Sequence, residues 1–166
     1  IKYVRAFTGK CKKVLVTDLD GTLWGGILGE DGVNGIALGP NYPGNAFMAF
    51  QHEIKQLSRR GVILVHNSKN NEAEAREAFA GHKHMVLKWD DFVATRVNWQ
   101  DKVANMRELA ETLSLGLDSF VFIDDNLYEC DMMRQSLPEV TVVPVPREPS
   151  ELPGLLSNLG LFDSVI

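Results

Sequence analysis

Carboxylates in this sequence follow apolar runs in pairs. Asp18 and Asp20 come directly after residues 13–17, and Asp124 and Asp125 directly after residues 119–123. A spacing of two leans the side chains of Asp18 and Asp20 to the same side of an extended chain. A third apolar run, 61–65, leads into His66, Asn67, Ser68, Lys69 and Asn70. If the first and fourth runs are neighbouring parallel strands, their ends lie about 4.8 Å apart and the four carboxylates converge. Two carboxylates about 4 Å apart repel by roughly 4 kcal/mol at an effective dielectric near 20. Such a cluster therefore protonates, spreads, or takes up a cation. With oxygen donors alone and no paired His or Cys, the ion selected is hard, and Mg2+ is the usual one for phosphate chemistry. Asp and Asn also cap helices. Acid pairs closing two separate apolar strands favour a site over two unrelated caps.

The elements that would position these groups alternate along the chain. Strands are expected at 13–17, 61–65, 84–87, 119–123 and 141–145, each a continuous apolar run of the kind covered on both faces. Helices are expected at 45–60, 71–80, 101–113 and 127–137, with a weaker one at 150–159. The first of these puts Phe47, Phe50, Ile54 and Leu57 on one stripe and stops at Gly61. The alternation predicts an α/β fold, a doubly wound parallel sheet with right-handed crossovers. In such a sheet ligands gather beyond the carboxyl ends of the strands, where the acid pairs stand. Residues 21–44 break the pattern: they are rich in glycine, contain Pro40 and Pro43, and read as loop plus a small hairpin.

The 166 residues carry 17 Lys+Arg against 22 Asp+Glu, a net charge of −5, and no basic run that would suit a nucleic acid. No apolar stretch approaches the length of a membrane span, and the first residues are not a signal peptide. Cys11 and Cys130 make neither a disulfide framework nor a zinc site, which suits a cytoplasmic protein. The chain opens on Ile1 and closes on the apolar residues 161–166, so residues 1–166 read as a single domain excised from a longer polypeptide.

Asp18, Asp20 and Thr22 stand in the order D-x-D-x-T, followed by Ser68 after the second strand, Lys102 ahead of a helix, and Asp124-Asp125 after the fourth. This series resembles the haloacid dehalogenase (HAD) superfamily. The segments 22–32, 68–72, 99–102, 122–126 and 137–142 resemble its FkbH-like subfamily, and the similarity runs from about residue 12 to residue 162. That resemblance implies a HAD-type Rossmann-like fold with a small flap insert after the first strand, no large cap domain, and Mg2+ as cofactor. It also implies a glyceryl transferase/phosphatase of polyketide biosynthesis. The substrate would be the phosphorylated three-carbon compound 1,3-bisphosphoglycerate, and the partner an acyl carrier protein with its phosphopantetheine arm.

Carried onto matching positions, the resemblance makes Asp18 the nucleophile and a metal ligand. Asp20 becomes the general acid/base, touching the metal through its backbone carbonyl. Ser68 and Lys102 would hold the phosphoryl oxygens, Thr22 and the amides near Gly21 would add donors, and Asp124 would complete the metal site. Asp125 would act through water or by orienting Lys102. Lys69 is expected as a cation at the substrate rim. Trp24 is expected on the wall of the site, Trp89 and Trp99 in the core, and His66 as a core or loop histidine. Lys55, Arg59, Arg60, Lys69 and Arg96 are candidates for a basic face toward an acidic carrier protein.

The sequence departs from the subfamily at Asn67, where relatives often have a Cys that could hold the glyceryl group as a thioester. An amide forms no such intermediate, and Asn67 is expected instead among the substrate-binding residues with Thr22, Gly21 and Lys69. Cys130 is expected as a buried helix thiol, and Cys11 precedes the first strand. Gly21 stands where the subfamily commonly has Asn. The alternatives to a transferase are a plain Mg2+-dependent phosphatase and a non-catalytic carrier-docking module. The intact acidic set argues against the last.

Overall fold

The computed structural model describes residues 12–163. Val14–Thr17 forms β1, four residues without exposed surface. It lies between Ile63–Lys69 (β2) and Phe120–Asp124 (β4), with Phe92–Asn98 (β3) and Thr141–Pro144 (β5) at the two edges. The strand order is β3-β2-β1-β4-β5 and all pairings are parallel. Since β2 and β3 lie on one side of β1 and β4 and β5 on the other, the order reverses between β1 and β4, where a crevice must open at the carboxyl ends.

Gly44–Arg59 (α2), Glu72–Gly81 (α3), Lys102–Leu113 (α4) and Leu127–Ser136 (α5) make the crossovers. Strand side chains alternate between two apolar layers. Leu15, Leu64, Val121 and Ile123 pack with Phe47, Phe50, Ile54 and Phe79 from α2 and α3. Val14, Val16, Val65, Phe120 and Phe122 pack with Val103, Met106 and Leu109 of α4 and Met133 of α5. Burying each of these large side chains contributes roughly 1.5–3 kcal/mol. Both layers grip the β1–β4 pair, which makes its end a rigid platform.

The expected third strand is displaced. Residues 84–87 form no strand, because the backbone N–H groups of Val86 and Leu87 donate to Gln51 Oε1 at 3.1 and 3.0 Å. A fully buried side chain of α2 thus takes the donors that a sheet ladder would have used. The third strand is instead β3, an edge strand with mixed burial whose polar positions hide its periodicity.

The weak helix at 150–159 divides into a short 3-10 turn, Pro149–Glu151, and Leu155–Leu159 (α6). Gly154 separates them with φ +83°, and Glu53 on α2 accepts from the N–H groups of Gly154 and Leu156 at 2.8 and 2.9 Å.

In the insert, the hairpin reduces to one antiparallel bridge, Gly25 to Ala37, around a short helix, Leu28–Asp31 (α1). No large cap domain is present among the described residues. No described helix is long and apolar enough to cross a membrane.

Candidate active site

Asp18 is the first residue past β1, and its N–H donates to Ile123 O of β4 at 3.1 Å, so the two strand ends are stitched together. Asp124 is the last residue of β4 and has no exposed surface. Between their carboxylates lies the ammonium of Lys102, the first residue of α4. Its Nζ is 3.2 Å from Asp18 Oδ1 and 2.5 Å from Asp124 Oδ2. Asp101 caps α4 by accepting from Val103 N at 2.7 Å. Asp124 Oδ1 accepts from Asn126 N at 2.9 Å.

Carboxylate oxygens of Asp18, Asp124 and Asp125 lie within 4.8 Å of one another. Burial, only partly countered by Lys102, pushes Asp18 up to about 6. Burial and the Asp18 charge push Asp124 up to about 6. Burial also raises Asp125, while Lys102 stays charged because its two partners outweigh its own desolvation. Three carboxylates against one ammonium leave two negative charges, which one divalent cation balances. The donor set is all oxygen, so Asp18, Asp124 and Asp125 fit Mg2+. Mg2+ at about 100 times its dissociation constant is expected to stabilise the chain by about 3 kcal/mol. The melting temperature should then rise by roughly 5–10 °C. Asp124→Asn should remove that shift in a thermal melt with and without Mg2+, and an equal shift in both proteins would exclude Asp124 from the site.

Gly21 shapes the other side of the cluster. It has φ +75°, and a Cβ there would lie 2.3 Å from Asp125 Oδ2, so any side chain would displace that carboxylate.

Asp20 lines the same cleft as the three acids but is not part of their cluster. Its Oδ1 accepts from Trp24 Nε1 and Leu28 N, both at 2.9 Å, and its Oδ2 from Asn70 Nδ2 at 3.0 Å. Its side chain is engaged by these three donors, outside the cluster of Asp18, Asp124 and Asp125. The insert explains the geometry, because α1 begins at Leu28, whose N–H is directed to this carboxylate.

Trp24 is thus fully buried behind the site rather than on its wall. Trp99 shows the reverse correction: it is 67% exposed at the rim of the cleft and donates to Asn71 Oδ1 at 2.8 Å. Trp89 does pack on the core. His66 is fully buried, stacked on Phe92 at 3.6 Å between centroids and hydrogen-bonded to Thr95, and does not line the cleft that holds the acids.

The cleft measures about 340 Å3, is bordered by Ile27, Asn70 and Trp99, and has Asp18, Lys102 and Asp124 on its floor. Lys69 lies at its rim, paired with Glu129 at 3.1 Å. Ser68 is buried beside Asn70, whose Nδ2 lies 3.4 Å from Ser68 Oγ. Thr22 and Asn67 have no exposed surface and do not border the cleft, so neither offers substrate a polar atom in this arrangement. Cys130 is buried in α5, with Sγ 3.5 Å from Asp124 O, and burial pushes its thiol up to about 11. Cys11 lies outside the described residues. A larger cavity of about 640 Å3 between residues 34–44 and 81–84 holds His82 and His84 but none of the clustered acids. The clustered acids line the smaller cleft.

A parallel sheet ordered in this way, with D-x-D after the central strand and an acid pair after its neighbour, defines the HAD fold, and this chain has that fold. Over 97% of its length it is similar, at 43% identity and a TM-score of 0.92, to the N-terminal part of the protein BF1531 from Bacteroides fragilis. That structure contains a phosphatase domain complexed with Mg, and the chain spans 43% of its length. Fold alone is shared with the HAD family enzyme bt-2542 from Bacteroides thetaiotaomicron, complexed with magnesium and inorganic phosphate. There the identity is 12%, the TM-score 0.54, and the coverage 81% of this chain and 94% of that one. The 3-deoxy-D-manno-octulosonate 8-phosphate phosphatase of Moraxella catarrhalis is similar at 19% identity and a TM-score of 0.51, over 92% of this chain and 78% of that one. No protein-family model matches the sequence, and no curated protein matches it.

Proposed function

We propose that the chain is an Mg2+-dependent phosphatase of the HAD type that works through a phosphoaspartate. The observation that carries the reading is the cluster of buried Asp18 and Asp124 with the exposed Asp125 at the end of β1 and β4, with Lys102 bridging the two buried acids. Asp18 attacks phosphorus through a carboxylate oxygen, the bond from phosphorus to the leaving oxygen breaks, and that oxygen takes a proton from Asp20. Water then attacks the phosphoaspartate, Asp20 accepts its proton, and inorganic phosphate and free Asp18 result. The bound cation supplies charge neutralisation for the phosphoryl oxygens. Lys102 adds a fixed positive charge beside the nucleophile. Trp24, Leu28 N and Asn70 hold Asp20 at one orientation, so the proton is given and taken at a fixed place.

The motif resemblance to FkbH-like proteins supports a finer reading: release of phosphate from 1,3-bisphosphoglycerate with the glyceryl group passed to an acyl carrier protein. Two features place plain hydrolysis ahead of it. The described residues offer no accessible thiol, since Asn67 is an amide and Cys130 is buried. Lys55, Arg60, Lys69 and Arg96 are each paired with an acid, which weakens them as a basic docking face.

Incubation with Mg2+, 1,3-bisphosphoglycerate and a holo-acyl carrier protein, followed by intact-mass analysis, separates the readings. Phosphate release with no acyl adduct is expected. A glyceryl adduct on the carrier would establish transfer, and the absence of phosphate release from any phosphorylated compound would overturn both.

A further inference from the structure

Asn67 has no exposed surface, yet both ends of its amide are used. Its Nδ2 donates to the backbone carbonyl of Lys102 at 2.9 Å, and its Oδ1 accepts from Asn105 Nδ2 at 3.1 Å. The same Asn105 nitrogen donates to Asn98 Oδ1 at 2.9 Å, and that oxygen also accepts from Gln100 N at 3.1 Å. Asn98 ends β3, Gln100 lies in the connection that follows, and Lys102 and Asn105 stand on the first turn of α4. A row of three amides therefore spans β2, β3 and the start of α4. The orientation of Asn67 is fixed by chemistry, because a peptide carbonyl only accepts.

Buried polar groups are costly unless paired, and an apolar side chain would suit this face of β2, where Val65 already packs against α4. What the amide supplies that an apolar group cannot is direction, and the atom it holds belongs to Lys102. That residue needs such support. Its flexible four-carbon stem must bring one ammonium within 3.2 Å of Asp18 and 2.5 Å of Asp124, and its backbone follows an exposed connection from an edge strand. A thiol or methyl at position 67 would leave the bonds to the Lys102 carbonyl and to Asn105 unmade.

We infer that Asn67, backed by Asn105 and Asn98, is a positioning residue that fixes the backbone of Lys102 and so places its ammonium between Asp18 and Asp124. It acts without touching substrate. The inference rests on the phosphatase reading for its kinetic consequences, and on geometry alone for its effect on Lys102.

The test uses the whole chain with Mg2+ and p-nitrophenyl phosphate. Asn67→Ala is expected to lower kcat about 10- to 100-fold, as a displacement of order 1 Å does. KM should stay within about twofold, since no substrate contact is removed. In a Lys102→Met background the same substitution should lower the residual kcat no further. A rise in KM at constant kcat, an equal loss of kcat in the Lys102→Met background, or no loss at all would each overturn the inference. Should Asn67→Ala fail to fold, Asn105→Ala and Asn67→Ser take its place under the same criteria.

A second readout needs no turnover. In the metal-free protein, the 15N-detected ammonium signal of Lys102 should shift or broaden in Asn67→Ala, and an unchanged signal would overturn the inference. A wild-type chain that hydrolyses nothing would refute the phosphatase reading alone and leave this second measurement to decide.

Discussion

Asp18→Asn is expected to reduce phosphate release by roughly 10^4-fold or more, since an amide oxygen does not replace the attacking carboxylate. The same substitution should stabilise the metal-free protein. Burial raises Asp18 from 3.8 to about 6, so the folded chain binds this proton more tightly than the unfolded chain does. The stability the group contributes is present at low pH and is lost as pH rises through about 6. At pH 8 the buried charge costs about 1–3 kcal/mol, allowing about 1.4 kcal/mol per unit and some relief from Lys102. An uncharged Asn escapes that cost, while the wild type recovers it only by binding a cation. Urea denaturation at pH 8 should therefore rank Asp18→Asn above wild type without Mg2+, and the gap should close or reverse with Mg2+. A variant less stable than wild type in metal-free buffer would mean that Asp18 is held by its ion pair and not strained by burial. Retained phosphate release would remove Asp18 from the mechanism.

The parts of this site that could be read in the sequence are those built from local pattern. β1 and β4 are continuous apolar runs, and Asp18 and Asp124 come directly after or at their ends. A parallel sheet with these two adjacent brings the acids together whatever the details of packing. Lys102 stands out in the sequence only through its place in the HAD-like motif series, and only tertiary structure shows it spanning two carboxylates.

What stayed hidden depends on contacts between distant segments. Asn70 was visible as a residue at the end of β2, but nothing in its neighbours says that it holds Asp20. Trp24 opens a glycine-rich insert and so reads as a wall of the site, yet the insert folds back and uses the indole N–H as a hydrogen-bond donor behind the site. The displaced third strand has the same origin: the donors of residues 86 and 87 go to Gln51, 35 and 36 residues away in sequence. Asn67 is the sharpest case. Its type marked a departure from a thiol-bearing relative, whereas its partners show an amide engaged with the backbone of α4.

The strongest pH dependence of the fold itself is expected from His66. Its ring is enclosed by Phe79, Trp89 and Phe92, with centroids 5.2, 4.9 and 3.6 Å away. Its Nδ1 is 3.1 Å from Thr95 Oγ1, and Nε2 has no hydrogen-bond partner among the described residues. Burial without a carboxylate nearby lowers the imidazole from 6.5 to about 3. Below pH about 6.5 the unfolded chain takes up a proton that the folded chain refuses, so this group withdraws stability as pH falls from about 6.5 toward 3. At pH 4 the loss amounts to about 3 kcal/mol, at about 1.4 kcal/mol per unit. Asp18 and Asp124 act oppositely over part of that window, because their raised values make the folded chain the better proton binder there. Wild type alone would therefore show a blunted slope. His66→Phe keeps an aromatic ring in the stack and removes only the imidazole titration, so its stability should fall less steeply than that of wild type between pH 6.5 and 4. Denaturant midpoints measured across that range isolate the histidine in the difference between the two curves. Parallel curves would mean that the folded protein admits the proton, through a local opening of the Phe92 and Trp89 packing.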